Sequence, residues 1–154
     1  MCEPKIKSVG IVAVEFGDNV IVVQPVNLYG CRIGDNCFVG PFVEIQKGVV
    51  IGQNCKIQSH TFICELVSVG NDCVIAHGVM FINDLFRTGG PANGERSLWR
   101  STRVGNRVSI GSNATILPVT IADNVVIGAG AVVTRDLLLA GIYAGNPARL
   151  LRTF

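Results

Sequence analysis

Residues 33–80 run IGDNCF VGPFVE IQKGVV IGQNCK IQSHTF ICELVS VGNDCV IAHGVM, and an isoleucine or valine opens each block of six. Cysteine recurs every eighteen residues, at Cys37, Cys55 and Cys73. Neither a helix nor an ordinary strand pattern has this period. The backbone is therefore predicted to return to the same place every three blocks, forming the triangular coils of an all-β hexapeptide solenoid.

Each block is predicted to be one short strand and one corner. The opening residue and the residue four places later point into the prism, while Gly, Asn and Asp fall at the corners, where positive φ is best tolerated. Coils stack at the strand spacing of about 4.8 Å, so the cysteines form an interior column. We interpret this column as apolar packing rather than a metal site, because its rungs leave no room for a tetrahedral ion and no CxxC pair occurs.

The repeat extends on both sides of this stretch. A second run of blocks, residues 104–138, keeps an interval of seventeen, because the block that begins at Ile116 is one residue short. A tightened corner at Pro118 is predicted to absorb the missing residue. Towards the N-terminus the blocks extend back to Phe16, and this extension requires another short block at Leu28.

Two segments depart from the repeat. Residues 85–103 are predicted to form a long loop ejected from the coil, and they carry the only Trp and four of the arginines. A loop of this length in a compact domain is usually functional. Residues 137–154 are predicted to cap the prism, with a strand and turn from Ile142 followed by a short helix over residues 148–154.

Composition limits the classes of function. The chain has 154 residues and is predicted to be a single domain over residues 1–154. A net charge of +2 without a Lys/Arg-rich run argues against nucleic-acid binding. No stretch approaches the ~18 consecutive apolar residues of a membrane span, and the first five residues do not look like a signal peptide. Six cysteines without a disulfide-type spacing fit a reducing compartment, so we expect a cytoplasmic protein.

Three further motifs carry a resemblance to a known family. With the hexapeptides, the ejected loop, IGAGAVVTRD at 127–136 and GNPAR at 145–149, the chain resembles the hexapeptide-repeat acyltransferases over nearly its whole length. Within that family, the segment FINDLF at 81–86 resembles the corresponding segment of the nucleotide-linked amino-sugar N-acetyltransferases. The resemblance implies a left-handed parallel β-helix, a homotrimer with sites in the clefts between neighbouring prisms, and acetyl-CoA as donor.

The resemblance also implies a set of residues that bind the donor. They are Gly111, Ser112, Ala129, Thr134, Arg135, Pro147 and Arg149. The two arginines would bind phosphates, because a charged hydrogen-bond donor is most useful there. For the glycine and the alanine in this set, repeat geometry is the alternative explanation. Several outward positions of the prism are apolar and would want a partner, in keeping with a trimer: Phe38, Val50, Phe62, Val74 and Met80.

The chain has two histidines, His60 and His77, which are seventeen residues apart. Stacking places His77 over Ser59, with His60 diagonally adjacent at the same corner, so both rings should point outward. A histidine base would suit O-acetylation, because an alcohol must lose a proton as it attacks. The alternative is a corner histidine satisfied by backbone groups.

Asn83 and Asp84 lie where the loop leaves the coil. In related O-acetyltransferases of small alcohols a histidine commonly occupies this neighbourhood, so the departure favours an amine acceptor. A neutral amine is already nucleophilic and mainly needs alignment with the thioester. We expect Asp84, together with Asn83, to orient an amino sugar. Glu65 lies eighteen residues before Asn83 and should support it from beneath.

The loop is predicted to hold the rest of the acceptor. Arg87, Arg96 and Arg100 would contact a diphosphate, while Trp99 would stack on a base or pack on the neighbouring subunit. The predicted function is an acetyl-CoA-dependent N-acetyltransferase acting on a nucleotide-linked amino-deoxy sugar, with no metal. Two alternatives remain: an O-acetyltransferase of a small alcohol or sugar that uses His60 or His77, and a non-enzymatic β-helical scaffold.

Overall fold

The computed structural model describes residues 3–154, which form a left-handed parallel β-helix of about 7 turns. Three parallel sheets make the faces of the prism. The first sheet contains β1 (Ile11–Val12), β4 (Asn27–Tyr29), β7 (Glu44–Ile45), β10 (Phe62–Ile63), β13 (Met80–Phe81), β16 (Thr115–Ile116) and β19 (Val132–Val133). The all-β fold predicted from the hexapeptides is confirmed.

The second sheet is shorter, and the third carries the C-terminus. The second sheet contains β2 (Glu15–Phe16), β5 (Arg32–Ile33), β8 (Val50–Ile51), β11 (Val67–Val69), β14 (Thr102–Val104) and β17 (Thr120–Ile121). The third sheet contains β3 (Ile21–Val22), β6 (Phe38–Val39), β9 (Lys56–Ile57), β12 (Val74–Ile75), β15 (Ser109–Ile110), β18 (Val125–Ile127), β20 (Gly141–Ala144) and β21 (Arg149–Arg152). The chain passes from sheet to sheet at three edges, named here the 1/2, 2/3 and 3/1 edges.

The pairing register follows the sequence period. Ile33 pairs with Ile51, eighteen residues away, whereas Val104 pairs with Ile121 across the predicted short block. The N-terminal extension of the repeat is also confirmed, and it begins one strand earlier than predicted. Ile11 of β1 pairs with Leu28 of β4 at an interval of seventeen.

Corner residues adopt the left-handed backbone that the prediction required. Along the 2/3 edge, Asn19, Asn36, Asn54 and Asp72 have φ between 55° and 58°. Asparagine and aspartate tolerate this conformation better than other residues with a side chain. Their side chains also form a ladder, in which the Asn36 amide donates to Asn54 at 3.2 Å and the Asn54 amide to Asp72 at 2.9 Å. The ladder joins neighbouring coils along this edge.

The interior is filled by the predicted aliphatic and cysteine columns. Cys37, Cys55 and Cys73 are at most 1% exposed, and each thiol lies within 3.1–3.2 Å of a glycine carbonyl in the coil above. Packing as small buried groups is therefore confirmed. Burial raises the pKa of two further thiols, that of Cys31 to about 11 and that of Cys64 to about 12, so both stay neutral at pH 7.

Outside the coil, the loop occupies residues 82–101, between β13 and β14, and contains one 3₁₀ turn over Arg96–Leu98. Of the outward apolar positions, Val50, Val74 and Met80 remain 38–42% exposed in the protomer. Within residues 3–154, no helix has the length and apolar character needed to span a membrane.

The C-terminus differs from the prediction. The expected strand and turn are present, but the predicted helix over residues 148–154 is wrong. Residues Arg149–Arg152 form β21, which folds back antiparallel on β20. Seven residues are too few for a stable isolated helix, whereas the last strand of the third sheet offers free backbone groups to pair with.

Candidate functional site

The predicted site residues fall on two edges of the first sheet. His60, His77, Ser112 and Ala129 lie on the 3/1 edge, whereas Asn83 and its neighbours begin the loop at the 1/2 edge. Asn83 lies six positions after His77, a span of at most about 20 Å at about 3.3 Å per residue. The predicted site residues of one protomer are therefore divided between the two edges of one face.

One column of corner residues runs up the 3/1 edge: Ser59, His77, Ser112 and Ala129. The Oγ of Ser59 lies 2.8 Å from Nδ1 of His77, which confirms the predicted stacking of that pair. Above them, the N–H of Gly130 donates to the carbonyl oxygen of Ser112 at 2.8 Å. Both histidines are exposed, as corner positions indicate. The column links His77 to two residues of the predicted donor set.

Backbone hydrogen bonding distinguishes this column from its counterpart on the 2/3 edge. There, the N–H of Gln53 donates to Asn71 Oδ1 at 3.0 Å, and that of Asn106 to Asp123 Oδ1 at 2.8 Å. The 3/1 column has no Asn or Asp to accept from the coil below. Among the described residues, the N–H groups that donate to no protein acceptor include those of Ser59, His77, Ser112 and Ala129. This edge therefore presents a vertical row of free amide donors.

Gly111 is explained by the repeat itself. A Cβ on Gly111 would lie 2.5 Å from the backbone N of Ala129, in the coil above. Gly40, lower on the same edge, is also confined, since its Cβ would lie 2.9 Å from the N of Ser59. At these two positions the close approach of the stacked corners leaves no room for a Cβ, with or without a ligand.

The remaining predicted donor residues lie at the top of the prism. Thr134 and Arg135 are exposed at the 1/2 edge, above the loop. Pro147 and Arg149 are exposed in the hairpin of β20 and β21. The N–H of Ala148 donates to the carbonyl of Val132 at 2.8 Å, which holds this hairpin turn over the uppermost coil. The predicted donor set is thus shared between the two edges.

At the 1/2 edge, Asn83 and Asp84 anchor the start of the loop. The Asn83 side-chain amide donates to the carbonyl of Glu65 at 3.2 Å, so the predicted stacking of these residues is confirmed. The Asp84 carboxylate accepts the N–H of Phe86 at 2.9 Å and that of Ala92 at 2.7 Å. Both Asp84 oxygens therefore already hold the backbone of the loop.

One of the three loop arginines is also engaged by the protein. The Arg96 guanidinium pairs with the Glu65 carboxylate and lies 5.5 Å from the ring centre of the half-buried Trp99. Cation–π contact and ion pairing together hold this arginine against the prism. Arg87 and Arg100 have exposed side chains and form no ion pair within residues 3–154. These two remain available to an anionic ligand.

A polar network continues below the loop on the first sheet. The Glu44 carboxylate accepts from the Asn27 amide at 3.0 Å and from the Gln46 amide at 2.9 Å. Burial, followed by the negative charges of Glu44 and Glu65, raises the pKa of Tyr29 above its usual value. Tyr29 is therefore a neutral phenol at pH 7 beside two carboxylates.

Sequence reasoning missed a pair of stacked rings on the 3/1 edge. The Phe42 and His60 ring centres are 4.9 Å apart with an interplanar angle of 28°. A cavity of about 260 Å³ opens beside Phe42, with Asn27 and Glu44 in its wall. The eighteen-residue interval places these two rings at one corner, but their stacking depends on side-chain conformations that the period does not specify.

Two hexapeptide family models match the chain. The model described as "Bacterial transferase hexapeptide (six repeats)" matches residues 30–65. The model described as "Hexapeptide repeat of succinyl-transferase" matches residues 101–135. The matched ranges lie on either side of the loop.

The chain is similar to a curated acetyltransferase and to a larger bifunctional protein. It is 37% identical to the galactoside O-acetyltransferase of Escherichia coli (strain K12) over 131 residues, covering 78% of this chain and 62% of the relative. It is 31% identical to the bifunctional protein GlmU of Streptococcus uberis, covering 80% of this chain and 24% of that protein. The chain thus spans less than two thirds of either relative.

A solved structure shares the architecture. A galactoside acetyltransferase in complex with coenzyme A superposes with a TM-score of 0.61 at 26% identity, covering 92% of this chain and 65% of the other. The stacked coils, the loop between them and the hexapeptide matches on either side of that loop all indicate the same architecture.

Proposed function

Because this chain belongs to the hexapeptide-repeat acyltransferases, we propose that it is an acetyl-CoA-dependent N-acetyltransferase acting on a nucleotide-linked amino-deoxy sugar. It would work as a homotrimer in the cytoplasm, where buried thiols such as Cys37 stay reduced. The row of free amide donors on the 3/1 edge is the observation that carries the donor half of this proposal.

The donor would lie along the upper part of the 3/1 edge. The free N–H groups of Ser112 and Ala129 sit on successive coils, about 4.8 Å apart, and suit the amide carbonyls of an extended pantetheine arm. The exposed guanidinium groups of Arg135 and Arg149 would bind the phosphates. Thr134 and Pro147 would border the same cleft.

The division of the predicted site residues between two edges supports a trimer. One protomer carries the free amide donors on its 3/1 edge and the loop on its 1/2 edge, on opposite sides of the first sheet. A threefold assembly would set the loop of one prism against the 3/1 edge of the next. The exposed apolar side chains of Val50, Val74 and Met80 would then find partners at subunit contacts.

The acceptor half of the site would bind an amine at the base of the loop. Asp84 fixes the loop through two backbone N–H groups, and the Asn83 amide, held on Glu65, keeps its oxygen free to accept from the amine. The neutral amine attacks the thioester carbonyl, the new C–N bond forms and the C–S bond breaks. The departing thiolate takes the proton that the nitrogen loses. Alignment supplies most of the catalysis, so no strong base is needed.

The loop would bind the nucleotide diphosphate through Arg87 and Arg100, which are exposed and free of ion pairs in the described chain. Arg96 would act indirectly, because Glu65 and Trp99 already hold it. The acceptor diphosphate and the donor phosphates would thus meet separate arginines.

A second candidate function is O-acetylation. The Ser59–His77 hydrogen bond of 2.8 Å can fix one ring tautomer and leave the other nitrogen of His77 as a base near the donor column. The 37% identity to a galactoside O-acetyltransferase also supports this alternative.

Two substitutions separate these functions. Asn83→Ala is expected to lower kcat/KM for an amino-sugar acceptor at least about tenfold, because it removes a hydrogen bond that aligns the amine in a charged transition state. His77→Gln is expected to leave that rate within about twofold, since the amine needs no base. The opposite pattern, with hydroxyl acceptors turning over, would establish the O-acetyltransferase.

A further inference from the structure

Two bulky rings occupy corner positions that normally favour Gly or Asn. Phe42 has φ of 60° and His60 has φ of 64°, both in the left-handed region. In the coils above, the same corner position holds Gly78, Asn113 and Gly130, which adopt this conformation readily. A phenylalanine in such a conformation is strained, whereas histidine adopts it more readily, and strain of this kind concentrates at functional sites.

Phe42 and His60 form one surface. Their rings stack at 4.9 Å, and both side chains are exposed, Phe42 to 57%. The pair adjoins the Ser59–His77 pair, on the edge that carries the free amide donors. It therefore offers an aromatic face to whatever binds along the lower half of this edge.

The neighbouring cavity has the size and chemistry of a base subsite. Its volume is about 260 Å³, smaller than the roughly 300–1,000 Å³ of sites that enclose a whole drug-sized ligand. Apolar side chains of Pro25, Val26 and Val43 line it beside the Phe42 ring. The Asn27 amide and the Glu44 carboxylate, joined at 3.0 Å, form its polar wall. A planar heterocycle with donors and acceptors on its rim matches this combination.

We infer that the Phe42–His60 ring pair is the platform on which the heteroaromatic base of the acceptor's nucleoside diphosphate stacks, with Asn27 and Glu44 facing the rim of the base. This inference rests on the proposed nucleotide-linked acceptor. It assigns His60 to binding and leaves His77 as the histidine nearest the donor column. Stacking on aromatic side chains is a general mode of base recognition and contributes substantially to affinity.

The position of the ring pair fits the order of groups in the acceptor. Three coil steps separate Phe42 from Ser112 along the edge, about 14 Å at about 4.8 Å per step. The base would thus bind low on the prism, the diphosphate between, and the amine near the acetyl group. The adenine of acetyl-CoA is the other base available, and it would bind away from the ring pair.

The test measures binding of thymidine diphosphate and uridine diphosphate by calorimetry, without turnover. Phe42→Asn removes the ring and installs a residue suited to φ of 60°. We expect the affinity for the better-bound nucleotide to fall at least about tenfold, while the melting temperature rises by about 2–4 °C. Affinities for pyrophosphate and for coenzyme A should stay unchanged. Phe42→Tyr, which keeps a ring, should bind the nucleotide within about twofold of the parent chain.

Arg107→Asn is the matched control, because Arg107 has φ of 54° on the remote 2/3 edge. It should leave nucleotide affinity unchanged. Any of four results would overturn the base platform. The first two are that the parent chain binds no nucleotide, and that Phe42→Asn binds it as tightly as the parent chain does. The other two are that Phe42→Asn loses affinity for coenzyme A and not for the nucleotide, and that its oligomer dissociates. If Phe42→Asn turns over an amino sugar with an unchanged KM, the base platform is wrong and the proposed function stands. If nucleotide binding needs Phe42 but no amine is acetylated, the ring pair binds the base and the proposed N-acetyltransferase function is wrong.

Discussion

A single backbone angle governs which residues each corner tolerates. At the 2/3 edge most left-handed corners are Asn or Asp, whose side chains bond to each other, and the Asn or Asp just before such a corner accepts a backbone N–H from the neighbouring coil. At the 3/1 edge the residues just before the left-handed corners include Ser, His and Ala, and their own backbone donors stay free. The difference between the structural 2/3 edge and the proposed binding edge is therefore set by a few corner residues.

Replacing Asn54 by Ala tests the structural edge. Ala lacks the tolerance for φ of 57° and the amide that donates to Asp72 at 2.9 Å. We expect the free energy of unfolding in urea to fall by about 1–2 kcal/mol. Asn54→Gly keeps the backbone freedom and loses only the hydrogen bonds, so its loss should be smaller. Equal stability of the alanine variant and the parent chain would contradict the role given to these corners.

Replacing Ala129 by Pro tests the binding edge. Proline removes one N–H that has no protein acceptor, and Gly40–Pro41 already places proline after glycine at this corner in a lower coil. The fold should be unaffected, and the Kd for coenzyme A should rise by about 2- to 12-fold, the worth of one hydrogen bond. Ser112→Ala, which keeps its N–H, is the control in the same calorimetric titration. An unchanged Kd in the proline variant would place the donor elsewhere.

Among the elements, the loop is the one whose order depends on side chains rather than on the repeat. Asp84 holds two of its backbone N–H groups, and Glu65 holds Arg96 from the coil beneath. Because the Glu65 side chain is only 17% exposed, its pairing with Arg96 is better shielded than an ordinary surface ion pair. The loop is thus anchored at its start and near its end.

Glu65→Gln should loosen the second anchor. The variant loses the charge that pairs with Arg96, so we expect trypsin to cleave after the loop arginines several-fold faster than in the parent chain. Glu15→Gln breaks the exposed Glu15–Arg32 pair, whose side chains are 64–70% exposed, and should leave cleavage unchanged. Identical loop cleavage in both variants would show that Glu65 does not order the loop.

Sequence reasoning succeeded where contacts repeat and failed where they do not. The period placed Glu65 beneath Asn83 and His77 over Ser59, as observed. It carried no information on the pairing of Asp84 with Ala92, because the loop has no period. The β21 strand was mistaken for a helix because its pairing partner, the last strand of a sheet, is a tertiary feature.

For the whole molecule, the proposed site requires a second copy of the chain, because its predicted residues are divided between two edges. Mixing Asn83→Ala with Ala129→Trp, which would fill the donor cleft, tests this requirement. If each site joins the loop of one protomer to the 3/1 edge of another, refolded mixtures contain some sites with two intact halves. Acetyl transfer should then exceed that of either variant alone. Activity that never exceeds the parents' would mean that one protomer supplies the whole site.

The most direct measurement is thiol release from acetyl-CoA against thymidine- and uridine-diphosphate-linked 3-amino and 4-amino sugars, with the matching hydroxyl sugars alongside. Nucleophilic amines need alignment, whereas hydroxyls need a base, so the pairs isolate the chemistry of the acceptor. We predict turnover of one amino sugar and none of its hydroxyl counterpart. Turnover of hydroxyl sugars alone would contradict N-acetylation and assign the reaction to His77.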